Sequence, residues 1–141
     1  EDSRRRAWIA DEALDRGLGA CLLAEPRAAM IVENALLHFD GARYRALAWC
    51  VMPNHVHALI EQVEGFALPD VVRSWKTFTA ARVNALDGKR GAFWARDYFD
   101  RFMRDETQLG QAISYIENNP VKAGLCATPP EWRFSSARRR L

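Results

Sequence analysis

Two runs of strand-forming residues separated by a Pro-Asn pair constrain the fold of this chain more than any other feature. The runs are residues 44–52 and 55–62, and Pro53 and Asn54 lie between them. Proline and asparagine favour a turn, and the apolar residues on both sides are typical of strands. The sequence therefore predicts an antiparallel β-hairpin at this point of the chain.

The second strand of the hairpin begins with two histidines, His55 and His57. Residues two apart in a strand point to the same face, with Cα atoms about 7 Å apart, so two imidazoles can converge on one cation. In an arbitrary protein such a pair more often lies on a solvated strand face. Here the flanking residues are apolar and the chain has only three histidines. These features favour half of a metal site.

Size and composition indicate one globular domain. The chain has 141 residues, 49% of them hydrophobic, and no stretch reaches the roughly 20 apolar residues of a membrane span. The opening residues lack the pattern of a signal peptide, so we expect a cytoplasmic protein. The cysteines Cys21, Cys50 and Cys126 are widely spaced, which argues against a disulfide framework and a zinc ribbon.

Basic residues are concentrated in the second half of the chain. Residues 1–66 hold seven Arg and ten Asp or Glu, a net charge of −3, whereas residues 67–141 hold thirteen Lys or Arg and eight acids, a net charge of +5. Seventeen of the twenty basic residues are Arg, which suits bidentate contacts with phosphates. A polyanionic partner and a general preference for Arg explain this pattern about equally well.

Four other segments have patterns of regular structure. Apolar spacing predicts helices over residues 7–18, 26–37 and 68–86, the last with Pro69 in its first turn. Residues 93–104 interleave aromatic and charged side chains and predict one or two short strands. Their rings either belong to the core or stack on the bases of single-stranded nucleic acid.

A last long helix is predicted from the N-cap Asp105 to Asn119, where Pro120 ends it. At 100° per residue, Tyr115 lies off the apolar stripe of this helix, and Asn119 follows one turn later. Together with the histidine pair, these two residues suggest a nucleophile and a third metal ligand. From the helix alone, an ordinary tyrosine at the core boundary is the simpler interpretation.

Basic residues in the second half are candidates for contact with phosphates. The arginines at the end form either a solvated tail or an arm that holds phosphates, so we divide the chain into a domain, residues 1–136, and a basic tail, residues 137–141. The candidates are Arg73, Lys76, Arg96, Arg101, Arg104, Lys122, Arg138, Arg139 and Arg140.

Several separated motifs occur in the order typical of one family. They are Val51-Met52-Pro53-Asn54-His55-Val56-His57, Ser74-Trp75-Lys76, Trp94 with Tyr98-Phe99-Asp100-Arg101, Arg104-Asp105-Glu106, Tyr115-Ile116 with Asn118-Asn119-Pro120-Val121-Lys122-Ala123-Gly124-Leu125, and Trp132 with Ser135-Ser136. Over roughly residues 20–138 the chain resembles the REP-associated tyrosine transposases, a branch of the single-tyrosine HUH transposases.

The resemblance implies an α+β fold, a ferredoxin-like or RRM-like antiparallel sheet with packed helices. It implies metal-dependent cleavage and rejoining of single-stranded DNA near hairpins through a 5′-phosphotyrosine. By position, His55 and His57 would bind Mg²⁺ or Mn²⁺ with Asn119 as the third ligand, and Tyr115 would be the nucleophile. The partner would be hairpin DNA with adjoining single strand, and we expect a monomer.

One departure and two alternatives accompany this interpretation. The family begins with a strand that pairs centrally in the sheet, whereas residues 1–6 are charged and show no β-run, so the first strand is expected to be missing. The main alternative is a catalytically silent hairpin-binding module derived from a transposase. The other is a small hydrolase or a structural metal site that recruits Cys50.

Overall fold

A four-stranded antiparallel sheet with helices on both faces forms the domain. The structure is a computed structural model that describes residues 7–13, 21–86, 88 and 92–140. The strands follow one another across the sheet in the order β2-β3-β1-β4. Their bounds are β1 (Ala7–Ala13), β2 (Tyr44–Val51), β3 (His55–Gln62) and β4 (Phe99–Phe102), and those of the helices are α1 (Pro26–His38), α2 (Leu68–Leu86), α3 (Glu106–Lys122) and α4 (Ser136–Arg139).

The helices divide the core into two layers. Helices α1 and α2 cover one face of the sheet through a cluster that includes Val32, Trp75 and Ile60. Helix α3 covers the other face, where Leu109 and Ile116 pack with Leu59. Because side chains alternate along β3, His55 and His57 share the face of Leu59 and therefore of α3. The predicted α+β fold with an antiparallel sheet is confirmed.

The predicted helix over residues 7–18 is wrong in its first half, because residues 7–13 form strand β1. This strand lies between β3 and β4 and pairs with both, so the expectation of a missing first strand is also wrong. Alanine and glutamate favour helices in isolation, but pairing on both sides overrides that preference. Ala7 and Ile9 are buried on the α3 face. Residues 14–18 of the predicted helix lie outside the described residues.

The other predicted elements form close to their expected bounds. The β2–β3 hairpin turns at Pro53 and Asn54, and the Met52 amide donates to the His55 carbonyl at 2.8 Å. Helix α3 begins after Asp105, whose side chain accepts from the Gln108 amide. It does not end before Pro120, as predicted, but continues to Lys122. The proline ring is buried, and the proline removes one backbone hydrogen bond near the end of the helix without ending it.

The predicted basic tail is folded against the domain. Residues 136–139 form α4, and the segment before it runs along the outer edge of β2, where the Val51 amide donates to the Phe134 carbonyl at 2.9 Å. This cover protects an edge strand from pairing with other chains. No helix in the described part of the chain is long and apolar enough to cross a membrane.

Candidate active site

The two histidines lie side by side at the start of β3, on the sheet face covered by α3. Their Nε2 atoms are 2.9 Å apart, and their ring centroids are 4.5 Å apart. His57 is buried and His55 is half-buried. Burial and the neighbouring His57 lower the pKa of His55 below its usual value, against a smaller opposite effect of Asp11. His55 is therefore held in the neutral form, which can coordinate a metal.

Hydrogen bonds to the outer ring nitrogens set the orientation of both histidines. His57 Nδ1 lies 2.6 Å from Asp11 Oδ1, and His55 Nδ1 lies 2.6 Å from Asn54 Oδ1. Since both partners are acceptors, each Nδ1 donates a proton, and each Nε2 faces the other ring. Two facing lone pairs at 2.9 Å repel each other unless a proton or a cation lies between them. The pair therefore fits a bound cation.

Asp11 and Asn54 are site residues that the sequence analysis missed. Asp11 lies on β1 directly opposite His57, so it could be found only once residues 7–13 are recognised as a strand. A carboxylate that accepts from the outer nitrogen of a metal-binding histidine fixes the ring and raises its basicity. Asn54 was assigned only to the turn, although an amide beside His55 is a signal for the same role.

Tyr115 projects from α3 beside the histidines. Its ring centroid lies 5.7 Å from that of His57, with 68° between the ring planes. Half of its surface, 50%, is exposed, as the position off the apolar stripe predicts. Tyr44, by contrast, is buried, and burial raises the pKa of its hydroxyl to about 12. The predicted nucleophile and the predicted histidines therefore meet within one chain.

Asn119 is half-buried on α3, one turn after Tyr115. Its side chain makes no hydrogen bond with the histidines or with any other residue in the described ranges, so its role as third ligand remains a prediction. Those ranges also contain no cluster of three or more His, Cys, Asp or Glu side chains arranged for a metal. Among the described residues, an amide oxygen is the remaining candidate for a further ligand, besides water or the substrate.

Cys50 lies opposite His57 in the β2–β3 ladder, which is the position that the structural-metal alternative requires. It is fully buried, and burial raises the pKa of its thiol to about 12. A metal-binding cysteine has to be a thiolate. The environment of Cys50 therefore favours a packed, protonated thiol.

An open groove of about 500 Å³ runs along α3 beside Tyr115. The residues that line it include one positively charged side chain and no acidic one. The lining residues are Gly110, Gln111, Ser114, Tyr115, Asn118 and Lys122. Lys122, a predicted phosphate contact, thus lies in the same groove as the tyrosine.

The remaining basic candidates are distributed unevenly around the domain. Arg96, Arg101 and Arg104 are exposed on or next to β4. Arg73 and Lys76 lie on α2, on the opposite face of the sheet from the histidines. Arg73 pairs with Asp70 at 3.1 Å, and Lys76 Nζ donates to the carbonyls of Ala95 and Arg96 at 2.9 and 3.1 Å. The structure does not bring Arg73 and Lys76 to the site.

The three C-terminal arginines do not form a free arm. Arg139 pairs with the buried Glu33 of α1 at 3.3 Å, and Arg140 pairs with Glu117 of α3 at 2.8 Å. Arg138 donates to the Pro130 carbonyl at 3.2 Å. Glu33 is buried and Glu117 is half-buried, and carboxylates removed from water need positive partners. The two ion pairs therefore connect the C-terminal segment to helices on both faces of the sheet.

The antiparallel sheet presents two histidines to a tyrosine on a packed helix, which is the arrangement that the resemblance to the tyrosine transposases implies. The chain belongs to the family of IS200-like transposases, whose model matches residues 28–119. The matched residues contain both histidines, Tyr115 and Asn119, but not β1 with Asp11.

Curated relatives agree with the resemblance predicted from the motifs, which is confirmed. A protein of Haemophilus influenzae, provisionally named a REP-associated tyrosine transposase, is 25% identical over 112 residues, 68% of this chain and 60% of the relative. The REP-associated tyrosine transposase of Escherichia coli K12 is 27% identical over 92 residues, 65% of this chain and 53% of the relative. The chain thus matches little more than half the length of these relatives.

Solved structures share the fold. A REP-associated tyrosine transposase bound to a REP hairpin superposes with a TM-score of 0.76 at 23% identity, covering 99% of this chain and 84% of that one. A protein of Deinococcus radiodurans R1, provisionally described as a transposase, gives a TM-score of 0.56 at 20% identity, covering 82% of this chain and 91% of the other.

Proposed function

We propose that the chain is a metal-dependent single-stranded DNA nuclease and strand transferase that acts beside DNA hairpins. The observation that carries the proposal is the convergence of His55, His57 and Tyr115. Two inward-facing imidazole nitrogens 2.9 Å apart suit a cation, and a half-exposed tyrosine lies beside them. The hairpin substrate is proposed from the solved relative, which binds one.

His55 and His57 would hold Mg²⁺ or Mn²⁺, with Asn119 as the proposed third ligand. When bound, the ion would polarise a non-bridging oxygen of the scissile phosphate and offset the charge of the transition state. Asp11 and Asn54 keep the two rings aimed at that point through their hydrogen bonds to Nδ1. Because the three proposed ligands include no carboxylate, an anionic phosphate is the favoured additional ligand.

Tyr115 supplies the nucleophile in this proposal. Its phenolic oxygen loses a proton and attacks the phosphorus in line, and the bond from phosphorus to the 3′ oxygen breaks. The leaving 3′ oxygen takes up a proton, and the 5′-phosphate stays on the tyrosine. A 3′-OH can later attack this phosphotyrosine, which rejoins the DNA and restores the free tyrosine. Lys122, in the same groove as Tyr115, would hold a neighbouring phosphate.

A covalent-adduct assay tests the proposed activity. A panel of labelled hairpin oligonucleotides with single-stranded flanks is incubated with the protein and Mn²⁺, and the products are separated under denaturing conditions. We expect a labelled protein band that disappears with EDTA. If hairpins bind but none of them gives an adduct, the chain is the silent binding module and the proposed activity is rejected.

Asp11→Asn is expected to weaken Mn²⁺ binding about 10- to 100-fold, the usual effect of losing the partner of a metal-binding histidine. Calorimetric titration of Mn²⁺ measures the affinity, and circular dichroism checks the fold. Asp100→Asn on the adjacent strand β4 is the matched control, because cross-strand alternation directs Asp100 to the opposite face of the sheet. Equal Mn²⁺ affinity in the two variants would show that Asp11 does not support the site.

A further inference from the structure

Among the described aromatic residues of the segment 93–104, the structure separates buried from exposed rings. Phe93 and Trp94 are buried in the core with α2, and Tyr98 is half-buried. Phe99 is 71% exposed, the largest exposure among the large hydrophobic residues described as exposed, and Phe102 is 41% exposed. Leaving a phenylalanine this open forgoes most of the free energy that its burial would provide. Phe99 therefore has no role in the core.

The register of β1 and β4 places Phe99 on the face of the histidine pair. Phe99 is directly opposite Asp11, and the Asp11 side chain reaches His57 on that face. Directly opposed residues point to the same side of a sheet, with Cβ atoms about 5 Å apart. The Cα atoms of Phe99 and His57 are thus two strand spacings, about 10 Å, apart. Phe102, of opposite parity, instead contacts Trp8 on the other face at a centroid distance of 5.1 Å.

The charged residues next to Phe99 on this face are Arg101 and Asp11, and the Asp11 carboxylate is bonded to His57. Arg101 is two residues further along β4 and shares the face of Phe99, whereas Asp100 points to the other side. Arg96 and Arg104 flank the strand and are exposed. Within the described ranges none of these three arginines forms an ion pair. An open ring beside exposed guanidinium groups is the combination that binds single-stranded nucleic acid by stacking and charge.

We infer that Phe99 is a stacking platform for an unpaired base of the DNA strand next to the scissile phosphate, with Arg101 holding the backbone beside it. This inference rests on the proposed function for its substrate class and extends that function to the positioning of the strand. The edge position of β4 leaves the Phe99 ring accessible from the side. A single DNA strand can therefore cross from β4 towards Tyr115.

Binding of a fluorescent single-stranded 20-mer of mixed sequence tests the platform directly. We expect Phe99→Ala to weaken binding about 10-fold, the usual effect of losing one base-stacking ring, and Phe99→Trp to retain it. Phe78→Ala is the matched control, because Phe78 is also exposed, at 44%, and also lies beside an arginine, Arg82, but on α2. Its affinity is expected to equal that of the unsubstituted protein.

An abasic scan locates the stacked base. Removing one base of a hairpin oligonucleotide with a single-stranded flank is expected to weaken binding about 10-fold at the stacking position. The same removal is expected to leave the affinity of the Phe99→Ala variant unchanged, because this variant already lacks the stacking contact. An abasic penalty that is equal in both proteins at every position would overturn the platform.

The outcomes separate this inference from the proposed activity. If no adduct forms but Phe99→Ala still weakens single-strand binding selectively, the platform stands and the catalytic proposal fails. If the adduct forms and Phe99→Ala binds and reacts like the unsubstituted protein, the platform fails and the catalytic proposal stands. Phe99→Ala that only abolishes self-association, with unchanged DNA binding, overturns the platform in favour of a contact between protein chains.

Discussion

Tyr115→Phe is expected to abolish the covalent protein–DNA adduct completely while leaving the fold and DNA binding intact. The substitution removes only the phenolic oxygen that would attack the phosphate. Because the side chain is half-exposed on α3, the free energy of unfolding is expected to change by no more than about 0.5 kcal/mol. The adduct assay with Mn²⁺, a thermal melt and a DNA-binding titration give the three quantities.

Tyr98→Phe is the matched control for this substitution. Tyr98 precedes β4 and is half-buried. The Tyr98→Phe variant is expected to form the adduct as the unsubstituted protein does. An adduct that persists in Tyr115→Phe and is lost in Tyr98→Phe would move the nucleophile to the other tyrosine. An adduct in both variants would require a nucleophile other than these tyrosines.

His57→Ala is expected to weaken Mn²⁺ binding by more than about 100-fold, because it removes a ligand and not only the partner of one. It is also expected to abolish the adduct, since the scissile phosphate would lose the ion. His55→Ala is expected to act in the same direction. It should disturb the fold less than His57→Ala, because His55 is only half-buried whereas His57 is buried.

His38→Ala controls for the loss of a histidine as such. His38 is the third histidine of the chain and lies at the end of α1, exposed and beside Phe39 at a ring-centroid distance of 4.4 Å. Its Mn²⁺ affinity is expected to be unchanged. Equal affinities for Mn²⁺ in His38→Ala, His55→Ala and His57→Ala would show that His55 and His57 do not bind the ion.

The sequence predicted those parts of the molecule whose local pattern agrees with their packing. The hairpin at Pro53 and Asn54, the helix Leu68–Leu86 and the N-cap Asp105 all appear as expected, because turn residues, apolar spacing and capping act locally. The strand and the helix that carry His55, His57 and Tyr115 are among these predicted elements, and the three rings lie next to one another in the structure.

The remainder depends on contacts between distant residues. The Ala-rich, acidic segment Ala7–Ala13 becomes a strand only because β3 and β4 pair with its two sides, and Asp11 becomes visible as a site residue only through that pairing. Arg139 and Arg140 resemble a solvated tail in the sequence, but Glu33 and Glu117 on two other helices bind them. Such non-local pairing cannot be inferred from spacing along the chain.

Mass spectrometric mapping of the covalent adduct tests the central claim most directly. The protein is reacted with a hairpin oligonucleotide and Mn²⁺, digested with nuclease and protease, and the peptides are sequenced. We predict that a nucleotide is joined through its 5′-phosphate to Tyr115, in a peptide from α3. A nucleotide on Tyr44 or Tyr98, or one joined through a 3′-phosphate, would contradict the proposed mechanism.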